Sequence, residues 1–218
     1  ETVLTEDWAR IIMHLPYAFQ AKRMFPAVFA YERRGSASWT DVEAEIGLPP
    51  SIDDFDDTLE GQAEHAKAMD GYRRSISKTQ AYREFHAERI EKGQRASSLI
   101  GNQYTGSIFL AMMSTFESDY EADSPLDGRQ FGLCGYGSGA KAKVFEGVVS
   151  DRWREVVASW NLFERMAGRM AIDQVTYELL HKGIHDGSVL KPRGEFALVE
   201  IEGGEGELEG ARTYAWVE

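Results

Sequence analysis

The sequence predicts a mixed α/β chain with α+β character, on three observations. Arg129–Cys134 and Lys141–Ser150 read as two strands on either side of a glycine-rich loop, which together make a hairpin. Ile108–Phe116 is an apolar run of helical period, entered through the polar stretch Ser97–Ser107, which reads as a loop. Thr58 to about Lys92 is rich in Ala, Glu, Gln, Lys and Arg, all good helix formers.

Composition narrows the function classes. At 218 residues the chain suits one domain, or one large half of a two-part fold, and 43% hydrophobic residues suffice for a core. A net charge of −12 argues against nucleic acid, because phosphate contacts need a basic face. No apolar run reaches the roughly 18 residues of a membrane helix, and the first residues are not a signal peptide. The single cysteine, Cys134, leaves no internal disulfide and suits a reducing compartment, so a cytoplasmic location is expected. A first residue of Glu rather than Met suggests a trimmed chain.

Taken in order, the lead-in buries Trp8 and ends in a strand-like run, Ile11-Ile12-Met13. His14-Leu15-Pro16-Tyr17 follows, with Pro16 suited to the first turn of a helix that runs from Ala18 until Pro26 kinks or ends it. A histidine at a strand-to-helix turn is well sited for acid/base chemistry, although a lone histidine is more often structural. Lys22 and Arg23 are either a phosphate site or ordinary solvated charge. Thr40-Asp41-Val42-Glu43 reads as a capping box that starts a small helix, with Gly47 as its stop. Asp53, Asp54, Asp56 and Asp57 lack calcium-loop spacing and read as acidic residues at a helix start.

Gly61 and Gly71 interrupt the helical stretch that begins at Thr58, so one rod or two helices are both open. His65 and His86 sit among charged residues and are expected to face solvent. Asn102, Thr105 and Ser107 favour a helix start, and Asn102 both donates and accepts hydrogen bonds. Asp119–Asp127 reads as a turn-rich loop. In Gly135-Tyr136-Gly137-Ser138-Gly139 the glycines permit positive φ and close approach to a ligand, with Ser138 at the tip. This loop is neither a P-loop nor a Gly-x-Ser-x-Gly elbow. Asn161–Arg169 and Asp173–His181 read as short helices, the second capped by Asp173 and stopped by Gly183. Glu195–Glu202 and Ala211–Val217 read as a hairpin. Gly183 between His181 and His185 argues against a helical metal face, and no metal site is assigned.

Three separated pieces then line up: His14-x-Pro16-Tyr17, Gly101-Asn102-x-Tyr104-Thr105-x-Ser107 and Gly135-Tyr136-Gly137-Ser138-Gly139. In that order they resemble the C-terminal half of hydroxymethylglutaryl-CoA (HMG-CoA) synthase, a member of the thiolase superfamily, over about residues 8 to 180. The resemblance implies one half of an αβαβα layered fold, with 1–218 as the C-terminal domain; the helical insertion over about 34–92 looks longer than in typical members, and the C-terminal hairpin over about 195–218 carries no matching motif. It implies condensation of acetyl-CoA with acetoacetyl-CoA and water to HMG-CoA, a step of the mevalonate route to isoprenoids, with CoA thioesters as substrates and no cofactor. In the family a cysteine is acetylated, a glutamate removes a methyl proton, and the carbanion attacks the second substrate's ketone. His14 matches the histidine that polarises and protonates that oxygen. Asn102 matches a residue bonding the acyl group, Ser138 matches one beside the new carboxylate, and Tyr104 and Gly137 fall among the substrate-binding positions. Arg23 and Lys22 are the candidates for the CoA phosphates.

The sequence also departs from the family. The nucleophilic Cys and the Glu base belong to an N-terminal half, so this chain alone is expected to be inactive and to need that half, in a homodimer. Cys134 precedes the glycine-rich loop, where the family often has Phe, and does not replace the nucleophile. Of two positions where the family often has basic residues, one is Phe19 and the other Arg23. Phe19 raises an alternative, a β-branching synthase of polyketide assembly whose donor acyl group rides on a carrier protein. A non-catalytic acyl-CoA-binding subunit, and an unrelated acidic helical interaction domain, are the other readings.

Overall fold

The computed structural model describes residues 3–137, 141–185 and 187–218, and these fall into two compact units that divide at Met166/Ala167. In the first unit the chain forms α1 (Leu4–Asp7), β1 (Arg10–Met13), α2 (Gln20–Met24) and α3 (Pro26–Arg33). It continues through α4 (Ala37–Ile46), α5 (Leu59–Ile76), α6 (Gln80–Arg89), α7 (Gln94–Ile100) and α8 (Ser107–Glu121). After these come β2 (Gln130–Gly137), β3 (Lys141–Val148), α9 (Trp153–Val157) and α10 (Leu162–Ala167). The mixed character read from the sequence is therefore what the chain adopts.

The sheet has the order β1-β2-β3. β1 and β2 run parallel, with Arg10 opposite Phe131 and Met13 opposite Cys134, while β2 and β3 form the expected antiparallel pair. All four β1 residues are buried. Helix α8 packs on the β2 side through an edge-on contact of Phe116 with Phe131, 5.3 Å between centroids. On the other face the Trp8 ring lies flush on Gly132, where an added Cβ would sit 1.9 Å from two ring carbons. A glycine is thus required mid-strand because another residue's ring occupies the Cβ position. Both faces of β2 are used, and the core of Trp8, Ile11, Ile12, Leu15, Phe29, Trp39, Tyr82 and Phe116 is contiguous.

Four local expectations are corrected, and of the two readings left open from Thr58 the chain takes two helices. α4 begins at Ala37, after extended Ser36, so Thr40–Glu43 lies inside the helix rather than at its start. Glu43 instead accepts the indole N–H of buried Trp39 at 2.7 Å. α5 runs unbroken through Gly61 and Gly71, and the break falls at Ser77–Thr79. Gly61 is there for contact, since a Cβ would lie 2.0 Å from the Asp56 carbonyl oxygen. His86 is buried rather than solvent-facing, its Nε2 lying 2.7 Å from Gln94 Nε2. Ser97–Ile100 is the last part of α7, not loop, and that helix stops where Gly101 takes φ +90°. Finally, α8 continues to Glu121 instead of ending in a loop at Asp119.

That last extension is held by buried carboxylates. Glu117 accepts the N–H groups of Leu162 and Phe163, both at 2.9 Å, at the start of α10. Asp119, fully buried, takes two bonds from Arg10 at 2.6 Å each and a third from Lys92. Burial alone would raise the Asp119 pKa, but hydrogen bonds from Arg10, Lys92 and Ser124 and the Arg10 charge outweigh it and hold the carboxyl below its ordinary range.

The second unit contains α11 (Gln174–His181) and the antiparallel pair β4 (Glu195–Ile201) and β5 (Arg212–Val217), in the places the sequence predicts. Asp173 caps α11 by accepting the Thr176 N–H at 2.7 Å. The pair β4–β5 carries Phe196 against Trp216, 5.5 Å between centroids. Among the described residues no helix is long and apolar enough to cross a membrane.

Candidate active site

The three sequence motifs meet at the ends of β1 and β2. β1 delivers His14 as the residue after its last rung, and the His14 N–H extends the ladder to the Cys134 carbonyl at 2.9 Å. The next N–H, on buried Leu15, is accepted by Ser107 Oγ at 2.7 Å. Pro16 has no N–H, so the chain leaves the sheet there. These bonds join the His turn to the strand carrying the glycine motif and to the helix entered through the Asn motif.

A cavity of about 580 Å³ opens between them, within the size range of small-molecule sites. His14 and Pro16 line it from the first motif, Asn102, Tyr104 and Thr105 from the second, and Gly135, Tyr136 and Gly137 from the third, with Ile108 on the floor. The sequence-predicted residues His14, Asn102, Tyr104 and Gly137 are thereby brought together. Ser138 lies outside the described residues. Lys22 and Arg23 sit on α2 and do not line this cavity. Arg23 is exposed and donates to the Tyr17 hydroxyl at 3.3 Å, while the Lys22 carbonyl accepts from Tyr82 at 3.2 Å.

Local geometry shows how each side chain is presented. The Asn102 carboxamide oxygen accepts the Tyr104 N–H at 2.7 Å, an Asx turn that leaves the –NH2 end to donate to a ligand. Tyr104 has φ +48°, a left-handed conformation that is strained for a non-glycine residue, and its ring is 78% exposed at the cavity. Gly135 and Gly137 are members of β2 without positive φ, so the conformational freedom expected of them is not what they supply. Their service is space: the nearest atom to a Cβ at Gly135 is Ile108 Cδ1 at 3.6 Å, and at Gly137 the Lys141 carbonyl oxygen at 4.0 Å.

Tyr136 belongs to the third sequence motif, which by itself gives it no role. Its ring stands edge-on to His14 at 5.1 Å, and its hydroxyl accepts from Gln20 Nε2 at 3.1 Å. The signal available in the sequence was its place between two glycines, which leaves the aromatic ring as the bulky member of that wall. Cys134 is not among the cavity residues, and burial pushes its thiol up to about 11. A thiol held protonated at neutral pH is a poor nucleophile, which agrees with its exclusion from that role.

Chemically, the cavity offers an imidazole, a carboxamide donor and a phenol over an apolar floor. That set can stabilise charge developing on an acyl oxygen and transfer a proton to it.

The family model for the C-terminal part of hydroxymethylglutaryl-coenzyme A synthase matches residues 3–185. A hydroxymethylglutaryl-CoA synthase of Haloferax volcanii is 28% identical over 214 residues, 95% of this chain and 46% of that protein. One from Enterococcus faecalis is 41% identical over 69 residues, covering 32% of this chain and 17% of its own length. Among solved structures, MvaS in complex with 3-hydroxy-3-methylglutaryl coenzyme A superposes with a TM-score of 0.64 at 24% identity, over 98% of this chain and 43% of that one. The curacin-pathway HMG synthase in complex with holo donor-ACP superposes with a TM-score of 0.61 at 18% identity, over 98% and 44%. The chain thus spans less than half the length of these relatives, and the two structural likenesses speak to fold alone. With its thiolase-like fold, its three motifs on one cavity and a family match over residues 3–185, the chain belongs to the hydroxymethylglutaryl-CoA synthase family, as its C-terminal domain.

Proposed function

We propose that this domain supplies the acid and the acyl-binding wall for condensing acetyl-CoA with acetoacetyl-CoA, in a full-length protein whose remaining half provides the cysteine nucleophile and glutamate base. The observation that carries this reading is the shared cavity: His14, Asn102, Tyr104 and Gly137, up to 123 positions apart in the chain, line one space. In the proposed reaction the other half's cysteine is acetylated and its glutamate takes a proton from the acetyl methyl. The resulting carbanion forms a C–C bond to the ketone carbon of acetoacetyl-CoA, and the electron pair of the C=O moves to oxygen. His14 gives that oxygen its proton. Asn102, through its –NH2, and Ser138 hold the acyl and carboxyl ends. Water then cleaves the enzyme thioester, releasing HMG-CoA. Lys22 and Arg23 face the CoA phosphates from α2. The full-length protein is proposed to work as a homodimer in the cytoplasm, and the domain alone to be inactive.

The test is rapid-quench kinetics on the full-length protein. His14→Ala is expected to slow condensation by about 10²- to 10⁴-fold, the usual worth of a general acid, while leaving cysteine acetylation unchanged. Equal losses in both steps would overturn the role given to His14.

Phe19 favours one second reading. It is 64% exposed at a position where the family often has a basic residue, and an apolar side chain is no partner for a phosphate. In that reading the acetyl donor arrives on a carrier protein. Acetyl-loaded carrier protein and acetyl-CoA, compared as donors at equal concentration, separate the two.

A further inference from the structure

The structure assigns Ser107 as a positioning residue for His14, the link that sets where the imidazole stands relative to Asn102; this assignment rests on the acid role proposed above for His14. Ser107 is the first residue of α8, one position past its N-cap Gly106, so its hydroxyl is not in the capping position. The hydroxyl is used elsewhere: Ser107 Oγ accepts the N–H of Leu15, 92 residues away, at 2.7 Å. Ser107 is fully buried and Leu15 is 1% exposed, so water cannot take over that bond.

His14 is consequently gripped from both sides. Its own N–H is tied to the Cys134 carbonyl of β2, and the N–H of the following residue is tied to α8. Pro16 offers no donor, so these two bonds fix the backbone direction at the imidazole. Ser107 also closes the segment that carries Asn102, Tyr104 and Thr105 into the cavity. One hydroxyl therefore connects the histidine-bearing turn directly to the carboxamide-bearing loop. Removing it leaves a buried N–H unpaired and frees the turn to shift, and a displacement near 1 Å at a reacting group is worth up to about 10²-fold in rate.

A double-mutant cycle on the full-length protein tests this. Ser107→Ala is expected to slow condensation by about ten- to a hundredfold while cysteine acetylation stays within about twofold. Introduced into His14→Ala, the same change is expected to cost nothing further in condensation, because Ser107 acts through the imidazole. Ser107→Cys keeps the volume with a weaker acceptor, and it runs the same cycle if the alanine variant does not fold; an intermediate, likewise non-additive loss is expected. If Ser107 variants lower both steps equally, or cost the same factor with and without His14, the residue is structural only and the inference fails. If His14→Ala itself leaves condensation intact, it is the proposed acid that fails.

Discussion

Replacing Asp119 by Ala removes the carboxylate that Arg10 and Lys92 share. Asp119 is fully buried, the Arg10 side chain is 10% exposed, and the two are joined by paired bonds of 2.6 Å. Lys92 is 27% exposed and can turn to water, but Arg10 cannot. Leaving one member of a buried ion pair unpaired costs about 3–5 kcal/mol, and Lys92's access to water places the expected loss at the lower end, about 3 kcal/mol. Urea unfolding followed by circular dichroism measures it as a lower midpoint at constant slope. A second variant, Arg10→Met with Asp119→Leu, removes both charges and should recover most of the loss. The folded Asp119 pKa is depressed, so its contribution is fully present above the unfolded value of about 3.9 and fades as pH falls through the lower folded value. Asp119→Asn should therefore flatten the stability curve below about pH 4 and leave its shape near neutrality unchanged. A loss under about 1 kcal/mol for Asp119→Ala would refute the reasoning, because it would mean the Arg10 guanidinium is not stranded without its partner.

Other expectations follow from the same packing. Gly132→Ala places a methyl 1.9 Å from the Trp8 ring and should cost about 3 kcal/mol or more, whereas Gly137→Ala, with 4.0 Å to its nearest neighbour, should leave the urea midpoint almost unchanged. Tyr82→Phe deletes the hydroxyl bonded to the Lys22 carbonyl behind α2; in the full-length protein KM for CoA thioesters should rise about fivefold, the equivalent of one lost hydrogen bond, with no change for a phosphate-free thioester. Burial pushes the His86 imidazole pKa down, with Glu91 opposing and Lys22 adding to the shift. The unfolded chain therefore binds this proton first, and stability should fall as pH drops through about 6.5, a slope that His86→Gln should flatten in urea midpoints taken from about pH 7.5 to about pH 5.

What could be read from the sequence was local or motif-borne. The end of β1 at Met13, the Asp173 cap and the β2–β3 pairing follow from short-range pattern and are found where expected, whereas β2 runs three residues past Cys134 into the glycine motif. Misreadings arose where a distant partner decided the outcome. Glu43 looked like half of a capping box, yet its carboxylate serves an indole N–H inside α4. Asp119 looked like a turn residue until Arg10, from a strand 109 positions earlier, made a helical aspartate favourable. His86 sits in a charged stretch but on the face of α6 that also buries Tyr82 and Phe85. Gly61 read as a helix weakness, but it is the residue that allows the Asp56 carbonyl to approach. In the site, His14, Asn102, Tyr104 and Gly137 could be named through the family resemblance that the three motifs carry. The bond from Leu15 to Ser107 was not, because no spacing rule links residues 92 apart.

Joint action of His14 and Asn102 on one acyl group can be seen directly in a crystal structure of the full-length protein with acetoacetyl-CoA bound. The ketone oxygen is expected within about 3.2 Å of a His14 ring nitrogen, with the Asn102 –NH2 at a similar distance from an acyl oxygen. An acyl chain seated away from this cavity, with neither group in hydrogen-bond reach, would contradict it.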